Sequence, residues 1–199
     1  MPYLKNINIK ILLTFTFSLC YAILRYNVFG NVPWAEIPLF VTNKAISLTS
    51  VFLLLFTLDI KNSKATRERL WKIIFVLTSI HVFISFRLLG PEYYSKFYTQ
   101  NNLNIIGYAT LFGGILAFTG ILILNSDGKL PTENGKLTLS HSLKKWIRIA
   151  IPLLIALHVF SMGIKGWTTP YNWFGYMLPI SLIGFVVITV FIVKTNRKK

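Results

Sequence analysis

Cysteine is nearly missing from this chain. Cys20 is the only one, which excludes an internal disulfide and any dithiol exchange chemistry; it is expected to be a buried, inert thiol. Acidic residues are scarce too, with 6 Asp and Glu against 21 Lys and Arg and a formal net charge of +15. No Gly-rich dinucleotide fingerprint follows a strand-like run. Apolar segments fill the 199 residues, leaving no room for a soluble nucleotide-binding domain, so nicotinamide chemistry would have to come from another chain. There is no internal repeat and no low-complexity tract.

What the chain has in quantity is long apolar runs. It is 54% hydrophobic with a mean hydropathy of +0.59. Six segments approach the roughly 20 residues a bilayer demands: Ile9–Phe29, Ile37–Ile60, Leu70–Leu89, Leu103–Leu124, Trp146–Gly163 and Trp173–Val193. The expected fold is therefore an all-α membrane protein, one six-helix domain over residues 1–199. The first span is not read as a cleaved signal, because bulky Tyr21, Leu24 and Tyr26 stand where small residues would be needed.

In a soluble protein the positive charge would suggest nucleic acid; here its distribution gives orientation instead. With the amino terminus inside, Lys5, Lys10, Lys61, Lys64, Arg67, Arg69, Lys72, Lys129, Lys136, Lys144, Lys145, Arg148, Lys194, Arg197, Lys198 and Lys199 collect on one side, 16 of the 21. Both termini are predicted to be cytoplasmic, in a bacterial inner membrane. For most of these residues, binding anionic lipid headgroups is a sufficient role. The short opposite loops are aromatic, with Trp34, Tyr93, Tyr94, Phe97, Tyr98, Trp167, Tyr171 and Trp173 reading mostly as an interfacial belt.

Two histidines lie deep in apolar spans, His81 in the third and His158 in the fifth. An ionisable group in hydrocarbon is costly and marks a functional site by default. The two spans cross in the same direction, and at about 1.5 Å per residue His81 is roughly 17 Å and His158 roughly 18 Å from the span start. They can face each other across one flat cofactor. Imidazoles on both axial faces of an iron porphyrin give a saturated, low-spin centre suited to electron transfer. Hydrogen-bonded packing is the alternative for either histidine. Arg25, Lys44 and Arg87 lie near the outer span ends, where they could pair with haem propionates or snorkel to headgroups; Lys165 fits the second role. In the fourth span, Gly107, Gly113, Gly114, Ala117 and Gly120 suit close helix packing or room for a macrocycle. Pro152 and Pro179 are candidate kinks.

The stretch Tyr21-Ala-Ile-Leu-Arg25-Tyr-Asn-Val-Phe-Gly30-Asn-Val-Pro-Trp34, with Ile37-Pro-Leu-Phe40, Asn43-Lys44-Ala45, Ser79-Ile80-His81-Val82-Phe83 and Ala156-Leu157-His158-Val159, resembles bacterial members of the ferric reductase-like transmembrane domain family. That family includes membrane domains of NADPH oxidases and metalloreductases and the haem subunit of periplasmic methionine sulfoxide reductase. The resemblance implies haem b between the third and fifth helices. It also implies FAD or FMN, or a separate reductase, on the cytoplasmic side. Two-haem members carry a second histidine pair nearer the cytoplasm, where this chain has Arg67 or Glu68 and Lys144 or Lys145, so an inner haem is expected to be absent. His141 reads as a solvated loop residue.

The expected function is a transmembrane oxidoreductase, or its electron-transfer subunit, passing electrons from a cytoplasmic donor to ferric iron, a periplasmic oxidoreductase or quinone. A small-molecule or proton-coupled transporter or receptor without haem, and a structural assembly subunit, are the competing classes. The topology is testable alone. A reporter fused after Lys199 should be active only in its cytoplasmic form, and impermeant reagents should label Gln100→Cys from outside; labelling only after lysis would invert the orientation.

Overall fold

The computed structural model describes residues 2–58, 63–127, 131–132, 135–136 and 138–197. Lys61, Lys129, Lys198 and Lys199 of the basic set, and Ile60 at the end of the expected second span, lie outside the described residues. The helices are α1 (Pro2–Ile23), α2 (Thr42–Phe56), α3 (Lys64–Arg87), the short α4 (Pro91–Tyr94), α5 (Ile105–Ser126), α6 (His141–Trp167) and α7 (Ile180–Asn196). Six helical segments are long and apolar enough to cross a membrane, as expected for an integral membrane protein. Six crossings put both helical ends of the chain on one side, here called the termini side.

Local sequence sets where the helices begin. Ser63, Asn104 and Ser140 each cap a helix by accepting a backbone N–H, from Thr66 at 3.2 Å, from Ile106 and Gly107 at 3.0 Å, and from Leu143 at 3.2 Å. Pro152 sits inside one continuous helix, α6, and is buried. Pro179 does not kink the sixth span; it caps α7, at a helix start where its missing N–H is no loss. The end of the first span and the start of the second are also less regular than their hydropathy predicts. Wide π turns occupy Leu24–Val28 and Ile37–Val41, on either side of the α1–α2 connection.

α2 is the central helix, packed by α1, α3 and α7, while α5 lies along α6. Leu53 and Leu54 of α2 join Leu70 and Ile74 of α3 and Ile188 and Phe191 of α7 in a buried cluster toward the termini side. In lipid such packing rests on close contact and hydrogen bonds rather than on expelling water. α1 is peripheral. Its Leu12, Leu13 and Phe17 are exposed, and so is Cys20, which corrects the expectation of a buried thiol.

The connection from α3 to α5 folds into a strap. It runs through α4, a turn at Ser95–Phe97 and a two-residue hairpin, β1 (Tyr98–Thr99) against β2 (Asn102–Leu103). Gln100 and Asn101 both have positive φ, 49° and 63°, as a tight hairpin turn requires. Tyr94 and Phe97 are buried with Leu88, so these two aromatics belong to a lid, whereas Trp34 and Tyr171 are exposed as belt residues would be.

The small residues of α5 serve packing. A Cβ on Gly113 would stand 3.0 Å from the His158 nitrogen and 3.1 Å from the Leu154 oxygen, while one on Gly166 would meet nothing within 4 Å. Gly113→Val should therefore destabilise the bundle by about 1–3 kcal/mol, as overpacking does elsewhere, and Gly166→Ala should not. Thermal unfolding in detergent checks both; equal melting temperatures would show that α5 and α6 are not held this closely.

Candidate functional site: a paired-imidazole cavity

A cavity of ≈ 420 Å³ lies between α2, α3, α5, α6 and α7, within the size range of sites for small molecules and cofactors. Its walls are mainly apolar. His81 and His158 face each other across it, with ring centroids 6.4 Å apart and ring planes at 84°. The third and fifth spans thus bring together the two residues that the sequence singles out.

Each imidazole is held by its Nδ1. On His158, Nδ1 donates to the Thr110 carbonyl at 2.7 Å; a carbonyl only accepts, so this nitrogen carries the proton. On His81, Nδ1 donates to Asn43 Oδ1 at 2.7 Å, and the Asn43 amide is oriented by its Nδ2 donating to Ser85 Oγ at 3.0 Å. Both rings are left with Nε2 as the lone-pair nitrogen, and neither Nε2 has a protein partner among the described residues. Gly114 makes the His158 bond feasible. A Cβ there would stand 2.8 Å from His158 Nδ1.

The donor set fits one metal between the rings. A metal–imidazole bond of about 2.0–2.1 Å, added to the roughly 1.1 Å from ring nitrogen to ring centre, puts trans imidazole centroids about 6.2–6.4 Å apart. Histidine ligands also characteristically spend their other nitrogen on an oriented hydrogen bond. With only two protein donors, a metal held here would need a ligand that brings its own.

The cations divide. Lys44 lines the cavity, is 9% exposed, and its amine meets the Tyr94 hydroxyl at 3.1 Å and the rings of Phe40 and Tyr94. Arg25 is buried but off the cavity wall; its guanidinium donates to the Met177 carbonyl and lies over Tyr26 and Phe174. Arg87 is exposed at the end of α3 and does not line the cavity. Lys165 is exposed, as is His141 at the first position of α6. Sequence reading missed Lys96. This strap residue lines the cavity, and its amine donates to the Met162 carbonyl of α6. Nothing in its loop distinguished it from a headgroup lysine, because its place depends on how the strap folds back.

Among the described residues Lys44 and Lys96 have no carboxylate partner, and the one ion pair is Lys144 with Asp127, 2.6 Å apart on the termini side. A buried, unpaired Lys44 in the wall of an apolar cavity favours an anionic group on whatever fills it, and Lys96, exposed at the cavity edge, adds positive charge at the same end. Sequence comparison finds no family model that matches the chain and no match among curated proteins, so geometry has to carry the functional reading.

Desolvation of the Lys96 amine, and then repulsion from Lys44, push it down to about 8 from 10.5. Between those values the unfolded chain binds a proton that the fold does not, so stability should rise with pH across that window. Melting temperatures of the ligand-free protein from pH 8 to 10.5 should climb for the native chain and climb less for Lys96→Met. Identical slopes would remove Lys96 from the cavity's charge balance.

Proposed function

We propose that the protein is a membrane haem b protein that carries electrons across the bilayer, with His81 and His158 as axial ligands. The observation that carries this reading is the pair of Nδ1 hydrogen bonds, from His81 to Asn43 and from His158 to Thr110, which leave both Nε2 atoms without a protein partner beside one cavity, with the ring centroids 6.4 Å apart. Bound there, haem would supply a one-electron couple, and His81 and His158, both holding its iron, would suit it to electron relay rather than oxygen binding.

The protein's own residues orient and tune. Asn43 and the Thr110 carbonyl raise the basicity of their imidazoles by accepting Nδ1–H, which favours the oxidised metal. Lys44 receives an anionic substituent on the strap side. Apolar walls from α2, α5 and α6 exclude water. In this reading the termini side is cytoplasmic, a flavin or partner reductase donates there, and the acceptor, such as ferric iron or a periplasmic oxidoreductase, lies beyond the strap. The basic helix starts at Arg67, Arg69 and Lys72 and at Lys144, Lys145 and Arg148 suit an acidic or anionic donor.

Purified protein should show a low-spin b-type spectrum with about one haem per chain, as one ligand pair implies. His81→Ala and His158→Ala should each lose it. Asn43→Leu should retain haem but raise its midpoint potential, because His81 loses its acceptor. A spectrum free of haem, or one unchanged in both histidine variants, would sink the proposal and leave the transporter reading.

A further inference from the structure

The slot between the two histidines is largely covered toward both aqueous sides. On the strap side Tyr94 and Phe97 cover it, only 7% and 2% exposed, with the exposed Lys96 between them. On the termini side it ends on Leu54, Ile74, Ile121 and Ile151, all buried.

Its flank is different. Phe83 and Phe86 of α3 and Ile115 of α5 line the cavity, yet they are 73%, 52% and 44% exposed. They stand on either side of a seam where α3 and α5 touch only sparsely. Toward the termini side the stacked rings of Phe75 and Phe118, 6.5 Å apart, bridge that seam. The open stretch lies level with the imidazoles: Phe83 follows His81 by two residues, and Ile115 follows Gly114, the glycine against the His158 ring. Lys96, the remaining exposed wall residue, belongs to the strap above.

In a bundle of these helices, a phenylalanine exposed in the strap-side half of a span, as Phe83 is, faces acyl chains. The geometry points to a lateral window between α3 and α5 through which the cavity exchanges its ligand with the bilayer rather than with water. The occupant is the haem of the preceding section, on which this inference rests: a flat amphiphile whose apolar faces partition into hydrocarbon and whose two carboxylates complement Lys44 and Lys96. It passes edge-on into a slot already held open by the two anchored rings. The water-side alternative requires the strap to lift. Asn104 resists that, with its amide donating to the Lys96 carbonyl and its backbone N–H to the Phe97 carbonyl, as does Gly107, where a Cβ would stand 2.7 Å from the Phe97 oxygen.

Entry and exit share one path, so haem loss reads the window. The loaded full-length chain in nanodiscs is mixed with haem-free myoglobin as scavenger, and decay of its Soret band is followed. Phe83→Ala should speed release by about tenfold and Ile115→Trp should slow it by a similar factor, both with the native spectrum at the start. Gly107→Val, which pushes the strap outward, should speed release far less than Phe83→Ala. Acceleration by Gly107→Val with a native rate in Phe83→Ala would overturn the window, and should Ile115→Trp fail to fold, that comparison still decides. A native chain that never shows a low-spin band would instead refute the haem reading itself.

Discussion

An imidazole inside hydrocarbon cannot leave both nitrogens unpaired without cost, and how it pairs decides what it can do. Here each ring spends its proton-bearing nitrogen on an oxygen 2.7 Å away and holds the other over the cavity. Much of the bundle is arranged around these two bonds. α2 must be central for Asn43 to reach His81, and α5 must lie against α6 without side-chain bulk at Gly113 and Gly114 for Thr110 to reach His158. The helix packing is thus the second shell of the site.

The charges follow a similar economy. One ion pair, between Lys144 and Asp127, ties the start of α6 to the end of α5. At the opposite end Lys44 and Lys96 are paired only with neutral oxygens. None of the five cations off the termini side forms an ion pair among the described residues, and of these only Lys44 and Lys96 line the cavity.

Much of this was legible in the sequence, for definite reasons. Apolar runs at the length of a bilayer located six spans, and His81 and His158 stood out because no other histidine lies at such depth. The period of hydropathy does not record whether a helix is central or peripheral, so Cys20 read as buried when α1 lies outside. Nor does it register the π turns before α2. The strap was hardest: Tyr94 and Phe97 have the composition of an interfacial belt, and only the fold-back pinned by Asn104 and Gly107 turns them inward and brings Lys96 to the cavity. Arg87, at a suitable helical distance from His81, ends up exposed, because distance along an axis says nothing about azimuth.

The two anchoring bonds differ in one respect: His81 is held by a side chain and His158 by a main-chain carbonyl. A carbonyl oxygen is present whatever residue occupies position 110, so point mutation can erase the acceptor at position 43 but cannot erase the one facing His158. Variation, natural or engineered, therefore has an adjustable handle on one imidazole and a fixed reference on the other. A chain built this way can retune the basicity of one cavity nitrogen by changing a single amide on α2 while the opposite imidazole keeps its orientation.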